Sequence, residues 1–123
     1  MKMKMLVLVL VMFLVGVVHA QAVCPGTAVH CVTTSWSDGD SSLAGIGYNV
    51  YRTTGSCTTP LPTMTKLNTT PITPLTYTDT AVGPGVYCYY VTATLNSAES
   101  APSSTVQATI LPKAPSGVTQ VVQ

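Results

Sequence analysis

Charge is scarce in this sequence. Only 7% of its residues are charged, with one arginine, Arg52, and one glutamate, Glu99. No basic stripe of the kind that nucleic acid or anionic lipid requires can be assembled from so few cations. Histidine is nearly as rare, with His19 and His30 alone. A zinc site would therefore need cysteines, and serine hydrolase chemistry lacks a G-x-S-x-G elbow. His30 reads as a polar residue at a strand start rather than a general base. No catalytic residue, cofactor site or metal site is expected. Runs rich in good helix formers are also few, and long apolar stretches are confined to one place.

That place is the N-terminus. Lys2 and Lys4 precede the apolar run Met5 to Val18, 14 residues long. This is short for a bilayer-spanning helix of about 20 residues and suits the h-region of a secretory signal. Val18-His19-Ala20 sets small residues at −3 and −1 of a cleavage after Ala20, and Ala20-Gln21-Ala22 offers a second site two residues on. An uncleaved anchor is disfavoured by the length, and a lipidated Cys24 by the bulk of Val23. Residues 1–20 are thus expected to be a signal peptide, leaving a secreted or periplasmic chain with no membrane insertion. It would keep Arg52, Lys66 and Lys113 against Asp38, Asp40, Asp79 and Glu99, three cations to four carboxylates and a formal net charge of −1. The remainder suits one domain, 21–111, followed by a Pro-containing linker and tail, 112–123.

What is abundant is Thr, Val and Tyr, punctuated by Pro, Gly, Asn and Ser, the composition of short strands and tight turns. "HCVTTSW" alternates Val32, Thr34 and Trp36 with Cys31, Thr33 and Ser35. "IGYNVYR" sets Ile46, Tyr48 and Val50 against Asn49 and Tyr51. "VYCYYVTATL" sets Tyr87, Tyr89, Val91 and Ala93 inward, with Cys88, Tyr90 and Thr92 outward. Shorter candidates are Thr63–Asn68, Leu75–Asp79 and Ser104–Leu111. Period two means one buried and one wet face per strand, so two sheets must close on each other as an all-β sandwich.

The segments "VTTSW", "GYNVYR", "TKLN", "TYTDTAV", "YCYYVTA" and "ESAPSSTVQATI" resemble, in that order, strands B, C, C′, E, F and G of a fibronectin type III domain. The resemblance covers about His30 to Leu111 and is closest to modules of exported bacterial proteins. It implies an immunoglobulin-like two-sheet sandwich with Trp36, Tyr48, Val50, Tyr89 and Val91 in the core, and no shared catalytic residues. Two departures stand out. The long first strand is replaced by the short "QAVCPGTAVH". Arg52 occupies a position where many members carry an inward aromatic, so the end of that strand is expected to lift out of the core.

Four cysteines in a secreted domain imply two disulfides, with three pairings. Cys31 and Cys88 both point away from the core, on what the resemblance makes opposite sheets, so a bridge between them is disfavoured. The expected pairs are Cys24–Cys31, closing "PGTAVH", and Cys57–Cys88, pinning the "TTGSCTTPLP" excursion to the outer face. Asp38, Asp40 and Ser42 begin like a calcium loop, but Leu43 and Asn49 stand where Gly and a bidentate Glu are needed. The loop reads as a bend. Asn68-Thr69-Thr70 is a glycosylation sequon, relevant only in a eukaryotic host.

Tyr51 and Tyr90 share the outward face of adjacent strands, either as a stacking platform for a sugar or a partner's side chain or as a cross-strand pair that stabilises its sheet. Two functions follow. One is a non-catalytic secreted or envelope module for adhesion to an extracellular protein or carbohydrate. The other is a structural spacer or assembly unit. In the tail, Val118, Gln120 and Val122 alternate with Thr119 and Val121. Gly117–Val122 is expected either to fray or to add to a sheet edge, in its own domain or in a neighbour, where it would make an oligomer.

Overall fold

The computed structural model describes residues 23–123. The expected signal segment, 1–20, lies outside the described residues. The described chain forms seven strands and no helix: β1 (Val32–Ser35), β2 (Gly47–Thr54), β3 (Thr65–Lys66), β4 (Thr76–Asp79), β5 (Gly85–Leu95), β6 (Ala98–Glu99) and β7 (Val106–Ile110). Every pairing is antiparallel. β1 and β4 make a two-stranded sheet. β3, β2 and β5 make the middle of a second one, with β6 and β7 both along the free edge of β5. The β2–β5 ladder runs unbroken from Gly47↔Thr94 to Thr54↔Tyr87 and is the backbone of the molecule.

The two sheets pack face to face as a β-sandwich. Tyr48, Val50, Tyr89 and Val91 are its buried centre, with Val32, Trp36 and Tyr77 packing on them from the smaller sheet. Trp36 lies 5.5 Å from the Tyr48 ring, centroid to centroid. It is only partly buried, at the margin of the core rather than its middle. Aromatic and β-branched residues dominate this interior because period-two strands supply one inward side chain per pair of residues.

β6 and β7 are two ends of one interrupted strand. Asn96 and Ser97, both at positive φ (49° and 68°), make the two-residue turn that sends the chain back from β5 into β6. Past Glu99 the ladder breaks at Ala101-Pro102, and serines bridge the gap. Ser100 Oγ and Ser103 Oγ accept from the N–H groups of Ala93 and Val91, while their own N–H groups donate to the Ala93 and Val91 carbonyls. Proline cannot donate to a ladder, and hydroxyls next to it restore what is lost.

One expectation needs correction, and one set of alternatives is narrowed. The end of β2 does not lift away at Arg52; the strand continues to Thr54. The guanidinium stays on the inward side because Asp79, from the opposing sheet, meets it there (Nη1–Oδ2 2.6 Å). And Gly117–Val122 pairs with no edge of its own domain: 112–123 contains no strand, and Val118, Val121 and Val122 are exposed. Pro112 and Pro115, with φ fixed and no N–H to donate, interrupt any continuation of the β7 ladder into this segment.

Candidate functional site

The outer face of the larger sheet carries the most organised polar chemistry. Tyr51 on β2 and Tyr90 on β5 are directly opposed in register. Their rings stack with centroids 4.8 Å apart and planes inclined by 25°. Lys66 on β3 completes the cross-strand row beside Tyr51. Glu99, delivered by the tight β5–β6 turn, reaches across the neighbouring strands. Its Oε1 accepts hydrogen bonds from Thr92 Oγ1, from Tyr51 OH (2.7 Å) and from Asn49 Nδ2 (3.1 Å).

Three donors converging on one carboxylate favour its charged form. Hydrogen bonds from Thr92, Tyr51 and Asn49 hold the Glu99 carboxyl down at about 2. The same contact with Glu99 pushes the Tyr51 phenol up to about 12, so it stays a protonated donor. Glu99 was not legible as a site residue. Nothing about an isolated Glu in "NSAES" says that a two-residue turn will fold it back over β2 and β5.

The expected wet face is also drier than period two implies. Asn49 and Thr92 are buried beneath this network, at 3% and 5% exposure. Asn68 is buried as well and acts as a short continuation of β3. Its Oδ1 accepts from Val50 N–H (2.8 Å), and its Nδ2 donates to Tyr48 O, Asn49 Oδ1 and Thr70 O. The amide nitrogen of the sequon is therefore committed to the β2 edge in the folded protein.

Both disulfides join the expected partners. Cys24–Cys31 closes the loop before β1, with Cα atoms 5.6 Å apart. Cys57–Cys88 ties the excursion after β2 to β5, at 5.1 Å. Cys88 lies on the outward side of its strand yet is fully buried, because the excursion covers it. Two such bridges are those of a chain matured in an oxidising, extracellular type of environment.

In the Asp38–Ser42 bend the carboxylates serve the backbone. Asp38 Oδ1 accepts from Asp40 N–H (2.9 Å), Asp40 Oδ1 from Ser42 Oγ (3.1 Å), and Asp40 O from Leu43 N–H. Beside the bend, Leu43, Ile46 and Leu95 together with Asp38 and Asp40 line an open cavity of about 390 Å³.

At the opposite end, Asp79 is the residue that sequence reading missed. It is 4% exposed and accepts from Arg52, from Tyr89 OH (3.0 Å) and from Ala81 N–H (3.0 Å). Burial, reinforced by Asp79, pushes the Tyr89 phenol far up. Burial is the largest single influence on Arg52 and opposes its charge, but hydrogen bonding and charge attraction from Asp79, with a smaller share from Tyr89, together outweigh it and raise the guanidinium further. Arg52 also lies over the Tyr87 ring, 5.5 Å from its centroid. This cluster joins the two sheets and is structural chemistry.

No protein-family model matches the chain, and no curated protein does.

Proposed function

We propose that this protein is a secreted, non-catalytic recognition module of fibronectin type III type that engages a carbohydrate or a protein through the Tyr51/Tyr90 face. The order of the strands supports the family reading. The smaller sheet pairs the B-like and E-like segments, and the larger one orders the C′-, C-, F- and G-like segments. The single observation that carries the function is the stacked Tyr51–Tyr90 pair beside a carboxylate held ionised on an outer sheet face. Aromatic rings supply flat apolar area at low entropic cost, and a fixed acceptor beside them supplies direction. Sugars and peptide side chains both present that combination of apolar faces and hydroxyl or N–H donors.

A second reading has its own support. Glu99 ties Tyr51 to Thr92 and Asn49, so the pair also staples β2 to β5, as a spacer domain would use it. A glycan array and a pull-down from envelope material, run with the disulfide-bonded chain, separate the two. The recognition reading expects a saturable ligand in one of the assays that Tyr90→Ala weakens at least tenfold. No ligand in either, or one indifferent to Tyr51 and Tyr90, leaves the spacer reading.

A further inference from the structure

The smaller sheet is short of a strand, and the sandwich is open on that side. Among the described residues β1 pairs only with β4. Its ladder is fixed by the Trp36 N–H bond to Leu75 O, which continues the register Val32↔Asp79, Thr34↔Tyr77. In an antiparallel pair the opposed residues alternate between exchanging hydrogen bonds and not exchanging them. Val32, Thr34 and Trp36 therefore turn their backbone groups to β4, and Thr33 and Ser35 turn theirs to the free edge. That edge carries no lysine, proline or inward charge, the usual protections against strand pairing.

Beside the edge runs an open groove into the interior, in two stretches of about 260 and 360 Å³. Val32, Trp36, Tyr89, Val106 and Ala108 contribute to its walls. Trp36 Nε1 is also a buried donor with no acceptor among the described residues. Residues 23–31 do not line the groove: Cys24–Cys31 folds them into a tight loop, and Val23 is 93% exposed.

We infer that this groove accepts residues Val118–Val122 of a second copy of the chain, paired antiparallel along β1 through Thr33 and Ser35. The segment fits in three ways. It is uncharged, like the edge. It alternates, so that Val118, Gln120 and Val122 enter the groove on one face, with the Gln120 amide between the two valines, while Thr119 and Val121 stay outside. Five residues in extended form span about 16 Å, enough to cover the four of β1. It is also free: Val118, Val121 and Val122 are 84%, 82% and 88% exposed.

The donor is a neighbour for a reason of direction. Along the groove, the chain entering β7 advances from Ser103 to Ala108 while the β1 side runs back from Ser37 to Val32, so the chain leaves β7 at the Val32 end. A tail doubling back within its own domain would run parallel to β1, with the weaker parallel ladder and a turn forced through the Pro112–Pro115 segment. A tail from another copy is under neither constraint. Each copy then offers one groove and one strand, and the copies join head to tail or by reciprocal exchange.

Sedimentation velocity and amide exchange test this on the disulfide-bonded chain beginning at Gln21. Self-association with rising concentration is expected, with exchange at Thr33 and Ser35 slowing on the order of tenfold or more. Truncation after Ser116, or Val118→Lys with Val122→Lys, should abolish both. A synthetic peptide of residues 117–123 added to the truncated chain should restore the protection of Thr33 and Ser35 without self-association. Three results overturn the inference: a chain that stays monomeric with both amides unprotected, protection of both amides in the tailed monomer, or association that survives removal of the tail.

Discussion

Glu99 and Asp79 are two of only four Asp and Glu side chains in the sequence, and each organises one face of the larger sheet, Glu99 the outer and Asp79 the inner. Asp79 is buried against Arg52, so removing either partner leaves a charge without its counterion. Asp79→Ala is expected to cost about 3 kcal/mol, the lower end of the range for a broken buried pair because Arg52 keeps contact with solvent. Chemical denaturation checks it, and a cost under about 1 kcal/mol would show the pair to be dispensable. Glu99 makes a pH-dependent contribution. Its carboxyl is held at about 2 in the fold against an ordinary 4.5. A depressed folded value means the stabilisation is present above about 4.5 and is lost as pH falls toward about 2. Melting curves of the wild type and Glu99→Gln should therefore differ near pH 6 and converge near pH 2. A gap of constant size across that range contradicts the hydrogen-bonded carboxylate.

At the scale of elements, the strands follow inward residues readable in advance. The alternation of Val32, Thr34 and Trp36 and of Tyr87, Tyr89 and Val91 set the facing of β1 and β5, and with it the disulfide pairs. The outer-face network was not readable, because it depends on which residues long loops bring together. Asn68 sits 19 residues from Asn49, and Glu99 48 from Tyr51. Arg52 was misread for the same reason: its partner lies on another sheet, and a polar residue at an inward position looks like a defect until that partner is known. Two substitutions probe the elements directly. Ser97→Gly should stabilise the β5–β6 turn by several tenths of a kcal/mol, since both central residues have positive φ and glycine tolerates it. Gly47→Ala should destabilise β2 by about 1–3 kcal/mol, because the added Cβ would lie 2.6 Å from Pro71 Cβ. A midpoint shift of the opposite sign in either case would contradict the backbone described.

The whole molecule has a small core for its length, and covalent links supplement it. In the chain-entropy description the Cys24–Cys31 and Cys57–Cys88 rings contribute about 2.5 and 3.7 kcal/mol, which is large beside a typical domain stability of about 5–15 kcal/mol. Their removal by Cys→Ser pairs should lower stability in that order, the second pair more than the first. Trp36→Ala should cost about 3 kcal/mol, the low end for a large aromatic because the indole sits at the margin of the core. The recognition reading then rests on the outer sheet face, where aromatic area and a fixed charge meet. Its most direct test is to measure ligand capture and unfolding midpoint side by side for the wild type and Tyr90→Ala, with the glycans or envelope proteins retained by the wild type as ligand. Capture lost at least tenfold in a variant that stays folded, with a stability loss of about 1 kcal/mol or less, is the expected result. A variant that binds as the wild type does, or a wild type that retains nothing, contradicts a recognition role for the Tyr51/Tyr90 face.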